Sequence, residues 1–336
     1  MTKELSPAYR LTIGSKRIDT TDEPRASTVV ALEVRLDLDV AVDGVTLVLG
    51  RAGTFKPAQD DKLVVELGYD DPGLERVLTG TVAAVEPGLT TIRVLGHGAA
   101  RPLLSTFVDR TFESKSAGDI VRDLAGEAKV DVARAEDGVQ LPAYVVDGRR
   151  PVAHHLHDLA DLSGFDVYAN DEGKLVFERF GGGQKVHVLE GGKHLLSLDG
   201  RRRPPAAGTV EAWGVGGGGG RGGEAWAWLV KDFGSSKGTA GSGAPTMVLE
   251  RAAIRTSTAA RAAARAALTE VGRRGLRGRL VTLGRPEIRL GDTIHLRETG
   301  EDALDARFQV RAVTHRLSKR RGFTTTIEFR SLERSA

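Results

Sequence analysis

The sequence contains no cysteine, two methionines and three tryptophans in 336 residues. Without a thiol the chain can form no disulfide, no thiolate zinc site and no cysteine nucleophile. No apolar run approaches the length of a bilayer-spanning helix, so no transmembrane segment is expected. The N-terminal stretch MTKELSPAYRLTIG lacks the apolar core of a secretory signal. Aromatic residues are scarce at 5%, which leaves few stacking platforms for nucleic-acid bases. What remains is ordinary for a globular chain, with 40% hydrophobic and 28% charged residues. The length suffices for two or three domains, each with its own core.

Charge is distributed unevenly. The net charge of +3 is too small to point to nucleic acid, but residues 1–180 carry 21 Lys/Arg against 30 Asp/Glu. Residues 181–336 carry 27 against 15. An acidic half followed by a basic half suits head-to-tail association of copies, and is equally compatible with two domains that have different solvated faces.

Strand signals dominate the first hundred residues. LEVRLDLDV (32–40) alternates strictly, with Leu32, Val34, Leu36, Leu38 and Val40 on one face and Glu33, Arg35, Asp37 and Asp39 on the other. Asp43-Gly44 is a turn signal, and VTLVLG, KLVVELGY (62–69), RVLTGTVAAVE (76–86) and TTIRVLGHG (90–98) follow at short spacing. The pattern predicts an antiparallel barrel or sandwich ending near residue 104. It then changes. SAGDIVRDLAGEAKV places Asp119 three residues after Ser116, close to a capping box, and continues with helical spacing. A second helix follows Pro151, with Leu156, Leu159, Ala160 and Leu162 apolar and Gly164 as its stop. FDVYANDEGKLVFE reads as a hairpin turning at residues 170–173. From 187 strands resume, interrupted by the glycine-rich stretches 214–223 and 234–244 and by an alanine-rich helix over 256–275.

The expected fold is therefore mainly β with an α+β insert: two tube-like antiparallel β-barrel domains, 1–104 and 181–336, and a small α+β domain, 105–180.

Several stretches could carry chemistry. PVAHHLHDLAD (151–161) concentrates histidines and aspartates, and His154, His157, Asp158 and Asp161 can share a helix face. A zinc site needs three protein ligands in fixed geometry with supporting partners, and the HExxH arrangement is absent, so polar residues on an outer helix face explain the stretch more simply. The glycine run 216–220 leads into Glu-Ala-Trp-Ala-Trp, not a helix with a Lys-Ser/Thr pair, so it reads as a loop and not as a phosphate cradle. Asp60-Asp61 and Asp70-Asp71 fall in turns, where aspartate is favoured for local hydrogen bonding. No nucleophile-elbow pattern is present. The basic clusters Arg201-Arg202-Arg203, Arg273-Arg274 with Arg277 and Arg279, and Lys319-Arg320-Arg321 have few aromatics among them, which favours solvated faces or an acidic protein partner over nucleic acid.

The order of parts carries more information than any single motif. YRLTIGSKRID and LEVRLDLDV open the chain, and KLVVELGYDD with RVLTGTVAAVEP forms the middle of the first barrel. RTFESKSAGDIVRDLAGEAKV and HHLHDLADLSGFDVYANDEGKLVFE form the insert. GRPEIRLGDTIHL and ARFQVRAVTHRLSKRRGFTTTIEFR close the chain. This succession resembles the phage late control D family, the baseplate hubs of contractile phage tails and injection systems, whose fold also forms the N-terminal part of VgrG spike proteins. The resemblance spans nearly the whole chain. It implies a structural protein: a homotrimer in which two tube-like barrels per subunit make a pseudo-sixfold ring, joining a hexameric inner tube protein to a trimeric spike protein among other baseplate components. VgrG proteins continue into an oligonucleotide-binding-type domain and a needle, whereas this sequence ends at Ala336, so the spike is expected to be a separate polypeptide.

The resemblance places assembly in the bacterial cytoplasm, within a phage tail-like particle, with no nucleic acid bound and no stable membrane insertion. No catalytic, cofactor-binding or metal-ligating residue is assigned, and no cofactor is expected. Two other readings are a tail-associated cell-wall hydrolase and a carbohydrate- or effector-binding module using Trp213, Trp226 and Trp228.

Overall fold

A computed structural model describes residues 6–20, 28–40, 42–51, 56–71, 73–183, 185–214 and 237–332. The first seven strands are β1 (Pro7–Ile13), β2 (Lys16–Asp19), β3 (Val29–Asp37), β4 (Gly44–Gly50), β5 (Lys62–Tyr69), β6 (Gly73–Pro87) and β7 (Thr91–Gly98). They pair antiparallel in the order β3-β4-β7-β6-β5-β1-β2. The alternation read from the sequence is realised in β3, where Leu32 and Val34 are buried and Arg35 faces solvent. The strand stops earlier than the pattern does. The Asp37 carboxylate accepts from Asp39 N at 2.8 Å, and Asp43 accepts from Asp37 N at 3.2 Å, turning the backbone out of the ladder. Val40, expected on the inner face, is 56% exposed, while Leu38 is buried in the core of the C-terminal strands.

The insert contains β8 (Arg110–Ser116), α1 (Ala117–Glu127), β9 (Val132–Ala135), β10 (Gln140–Val146), α2 (Val152–Ser163), β11 (Asp166–Ala169) and β12 (Leu175–Glu178). Ser116 caps α1 by accepting from Asp119 N at 3.0 Å, the contact its spacing predicts. Gly164 ends α2 at φ 69°, and a Cβ there would lie 3.0 Å from Ala266 Cβ, so the stop residue also permits close approach of a third helix. β11 and β12 form the expected hairpin, its turn held by the Asn170 side chain accepting from Glu172 N and Lys174 N.

The remaining elements are β13 (Val186–Glu190), β14 (Leu195–Arg202), β15 (Thr209–Gly214), β16 (Lys237–Gly241), β17 (Thr246–Arg251), α3 (Ser257–Arg273), β18 (Leu276–Leu283), β19 (Thr293–Arg297), β20 (Arg307–Ser318) and β21 (Gly322–Ser331). These C-terminal elements are not one unit. β14, β18, β21 and β20 run side by side, and β19 links β20 to β13. β15, β16 and β17 form a separate three-stranded sheet. With α3 they share one hydrophobic core with the insert, through Val210, Ala212, Ile254, Ala260 and Ala264. The expected division at residue 181 therefore runs through a common core. The physical cause is α3, whose small alanine face lets α2 and β16 approach closely; a Cβ on Gly238 would meet Arg261 N at 2.2 Å. The stretch 234–244, read from composition as a flexible loop, supplies β16 from Lys237 onward.

The expected two barrels are joined. β20 pairs with β3 from Ala312↔Asp37 to Ser318↔Ala31, so a 13-stranded sheet runs through both halves. The fold class is mainly β, with large antiparallel sheets and small helical inserts. β20 serves both halves in succession. Its first residues pair with β19 and its last with β3, and the register against β21 shifts between Val310 and Ala312. Tyr69 Oη, at the far end of β5, donates to Gly284 O at 3.1 Å, adding a second tie between the halves.

Candidate interaction site at the junction of the units

The register shift in β20 falls at Arg311. A bulge re-aims the side chain at the extra position, and here Arg311 lies 9% exposed where the first strands, the insert and the C-terminal strands meet. Its Nη1 donates to Asp166 of β11 at 2.6 Å, and its Nη2 pairs with Asp39, just beyond β3. Asp166 also accepts from Gln309 Nε2 at 2.6 Å and lies 3.5 Å from Arg330 Nη2. Arg330 of β21 donates through Nε to Gln309 at 3.0 Å and pairs with Glu270 of α3. Residues from four separate parts of the chain thus share one network. Burial opposes the Arg311 charge, but Asp166 and Asp39 outweigh it and hold its pKa above the ordinary value. Arg330 is held below its ordinary value by burial and by the neighbouring Arg311. Two guanidiniums this enclosed are tolerated only because carboxylates and an amide satisfy them. One atom is not satisfied. Arg311 Nε is buried without a hydrogen-bond partner among the described residues.

Asp39, Asp166, Glu270, Arg311 and Arg330 of this network line a groove of about 640 Å³ between α2, α3, β17 and the C-terminal strands. A second cavity, of about 630 Å³, is lined by Tyr168, Asp292 and His315 among others. His315 is fully buried, with Nδ1 3.0 Å from Thr325 Oγ1, and burial pushes its pKa down to about 3, which keeps the ring neutral.

The histidine stretch is arranged differently from its sequence reading. His155, expected on an outer face, is 2% exposed. Its Nε2 lies 3.2 Å from Asp147 O and its ring sits edge-on to Tyr144. Arg150 pairs with Asp158, while His154 points to solvent. His157 and Asp161 line the groove; burial lowers the pKa of the former and raises that of the latter. Among the described residues no three His, Asp or Glu side chains converge as a metal-ligand set. Asp60, at φ 66°, and Asp61, accepting from Ala58 N at 2.8 Å, occupy a tight turn. Arg201 and Arg277 face each other across β14 and β18 on an exposed surface. Lys319-Arg320-Arg321 forms the exposed turn between β20 and β21. Trp213 lies in β15 under Lys237 Nζ, 4.4 Å from the ring centre; Trp226, Trp228 and the glycine run 216–220 lie outside the described residues.

The sequence reading did not single out Gln309, Arg311 or Arg330, and took Asp39 for a solvated strand face. Their only sequence signal is a few polar positions in otherwise apolar strands.

The fold is similar to that of the prophage MuSo2 43 kDa tail protein from Shewanella oneidensis, at 14% identity and TM-score 0.70 over 96% of this chain and 97% of that one. It is also similar to the tail protein from Neisseria meningitidis MC58, at 14% identity and TM-score 0.72 over 97% and 96%. The E. coli c3393 protein, a component of the type VI secretion system, matches at 11% identity and TM-score 0.59 over 95% and 76%. No family model matches the sequence, and no curated protein matches it.

Proposed function

We propose that this chain is a structural component of a phage tail or contractile injection system, specifically the trimeric baseplate hub that joins a hexameric inner tube to a trimeric central spike. The observation that carries the reading is the end-to-end correspondence of its fold with two tail proteins, covering at least 96% of each partner in both comparisons. In this reading β1–β7 and the strands β13, β14 and β18–β21 are the two tube-like units of each subunit. The insert, together with β15–β17 and α3, decorates the ring. The acidic first half and basic second half fit such a ring, because heterologous interfaces bring unlike faces of neighbouring copies together. The chain acts without catalysis, assembles in the bacterial cytoplasm and leaves as part of the particle.

The test is a low-resolution projection of the purified protein mixed with its tube and spike proteins. A threefold ring with an axial channel is expected, and a stable monomer under those conditions would overturn the reading. Incubation with peptidoglycan checks the absence of hydrolysis, and robust cleavage would count against a purely structural role.

A further inference from the structure

The groove between α2 and α3 has an unbalanced charge that the internal network does not explain. Seven arginines and four carboxylates line it. Three of the carboxylates, Asp39, Asp166 and Glu270, are taken up by Arg311, Arg330 and Arg274. That leaves Arg179, Arg251, Arg265 and Arg273, none of which has a carboxylate within ion-pair distance among the described residues; Arg273 Nε donates to Leu332 O at 3.2 Å, and the fourth acid, Asp161, feels the charge of Arg251 without pairing with it at that distance. Arg251 and Arg265 are solvent-exposed. Like charges around one concavity repel, and low-dielectric walls concentrate their field on whatever enters.

The walls between these arginines are apolar. Met247 and Leu249 come from β17, and Val271 and the small side chain of Ala262 from α3. The aromatic rings that could stack on bases are already covered: Arg179 lies 5.8 Å over Phe165 and Arg273 lies 5.6 Å over Phe180. A ligand that offers carboxylates and short apolar groups together fits this lining better than a nucleic acid, whose recognition in a groove depends on free stacking faces. We propose that the groove is a docking site for an acidic, partly apolar segment of a partner protein, with the exposed Arg179, Arg251 and Arg265 taking its carboxylates and the half-buried Arg273 further in. The site stands on its own lining and is independent of the hub assignment.

The experiment measures fluorescence anisotropy of a labelled peptide of alternating glutamate and leucine against the full-length protein at low and moderate salt. Saturable binding that weakens with salt is expected. The double variant R251E/R265E should weaken it about tenfold, the loss expected when two attractive contacts become repulsive. Both residues are exposed, so circular dichroism of the variant should match the parent. The triple variant K319E/R320E/R321E, which reverses charge in the distant β20–β21 turn, should leave binding unchanged. No saturable binding, an equal loss in the triple variant, or tighter binding of oligothymidylate than of the peptide would each overturn the proposal. Sedimentation of the parent and R251E/R265E without peptide identifies the remaining alternative. If the variant dissolves a homo-oligomer present in the parent, the occupant is a second copy and the partner-segment assignment fails.

Discussion

Asp166 makes the sharpest test of how the units are held together. Among the described residues it is the one carboxylate that serves Gln309, Arg311 and Arg330 together, and Arg311 and Arg330 are 9% and 7% exposed. Asp166→Ala leaves both guanidiniums buried with one carboxylate fewer between them. Removing one partner of a buried ion pair costs about 3–5 kcal/mol, because the remaining charge keeps its desolvation penalty. Here Arg311 retains Asp39 and Arg330 retains Glu270, which places the expected loss near the lower bound, about 3 kcal/mol. That is a large part of the roughly 5–15 kcal/mol by which a domain is stable. The assay is urea unfolding followed by far-ultraviolet circular dichroism, with two comparison variants. Asp39 is 68% exposed at its side chain, so Asp39→Ala should cost about 1 kcal/mol. The surface pair Arg93–Glu86 is about half exposed on both sides, and Arg93→Ala should lie within about 0.5 kcal/mol of the parent. A loss below about 1 kcal/mol for Asp166→Ala, or the same loss for all three variants, would refute the claim that the buried network anchors the junction.

Two further perturbations test other parts of the fold. Asp43 has its pKa pushed up to about 7 by burial, while its Oδ1 accepts from Asp37 N. A carboxyl raised in the folded state is fully stabilising below its unfolded value near 4 and loses that contribution as pH rises to about 7. Stability should therefore fall by about 2 kcal/mol across that window, the full shift being discounted because the residue is not fully buried. Asp43→Asn keeps the acceptor and should flatten the profile; an unchanged profile in thermal melts would refute the assignment. Gly238→Ala places a methyl 2.2 Å from Arg261 N, a backbone atom of α3 that cannot rotate away. A loss of about 3 kcal/mol is expected by urea unfolding, and a neutral variant would show that α3 does not pack on β16 as described.

Local periodicity and capping chemistry determined much of this protein from sequence alone. β5 spans the KLVVELGY pattern residue for residue, Ser116 and Gly164 begin and end their helices, and Asn170 turns its hairpin. These features depend on neighbours within a few positions, where side-chain alternation and orphan backbone groups decide the outcome. The order of the segments was likewise legible, because it needs no knowledge of how they pack. Tertiary structure decided what lies between them. Gln309 and Arg311 alternate with Phe308 and Val310 as any half-wet strand would, yet the insert covers that outer face and buries them. His155 looked solvated until β10 and the Asp147 carbonyl enclosed it. The alanine face of α3 could have served either barrel or insert, and close approach at Gly164 of α2 and Gly238 of β16 fixed it between the insert and the β15–β17 sheet. Which polar residues become a buried network is a property of surfaces that meet from distant parts of the chain, and periodicity within one segment carries no record of the surface it will face.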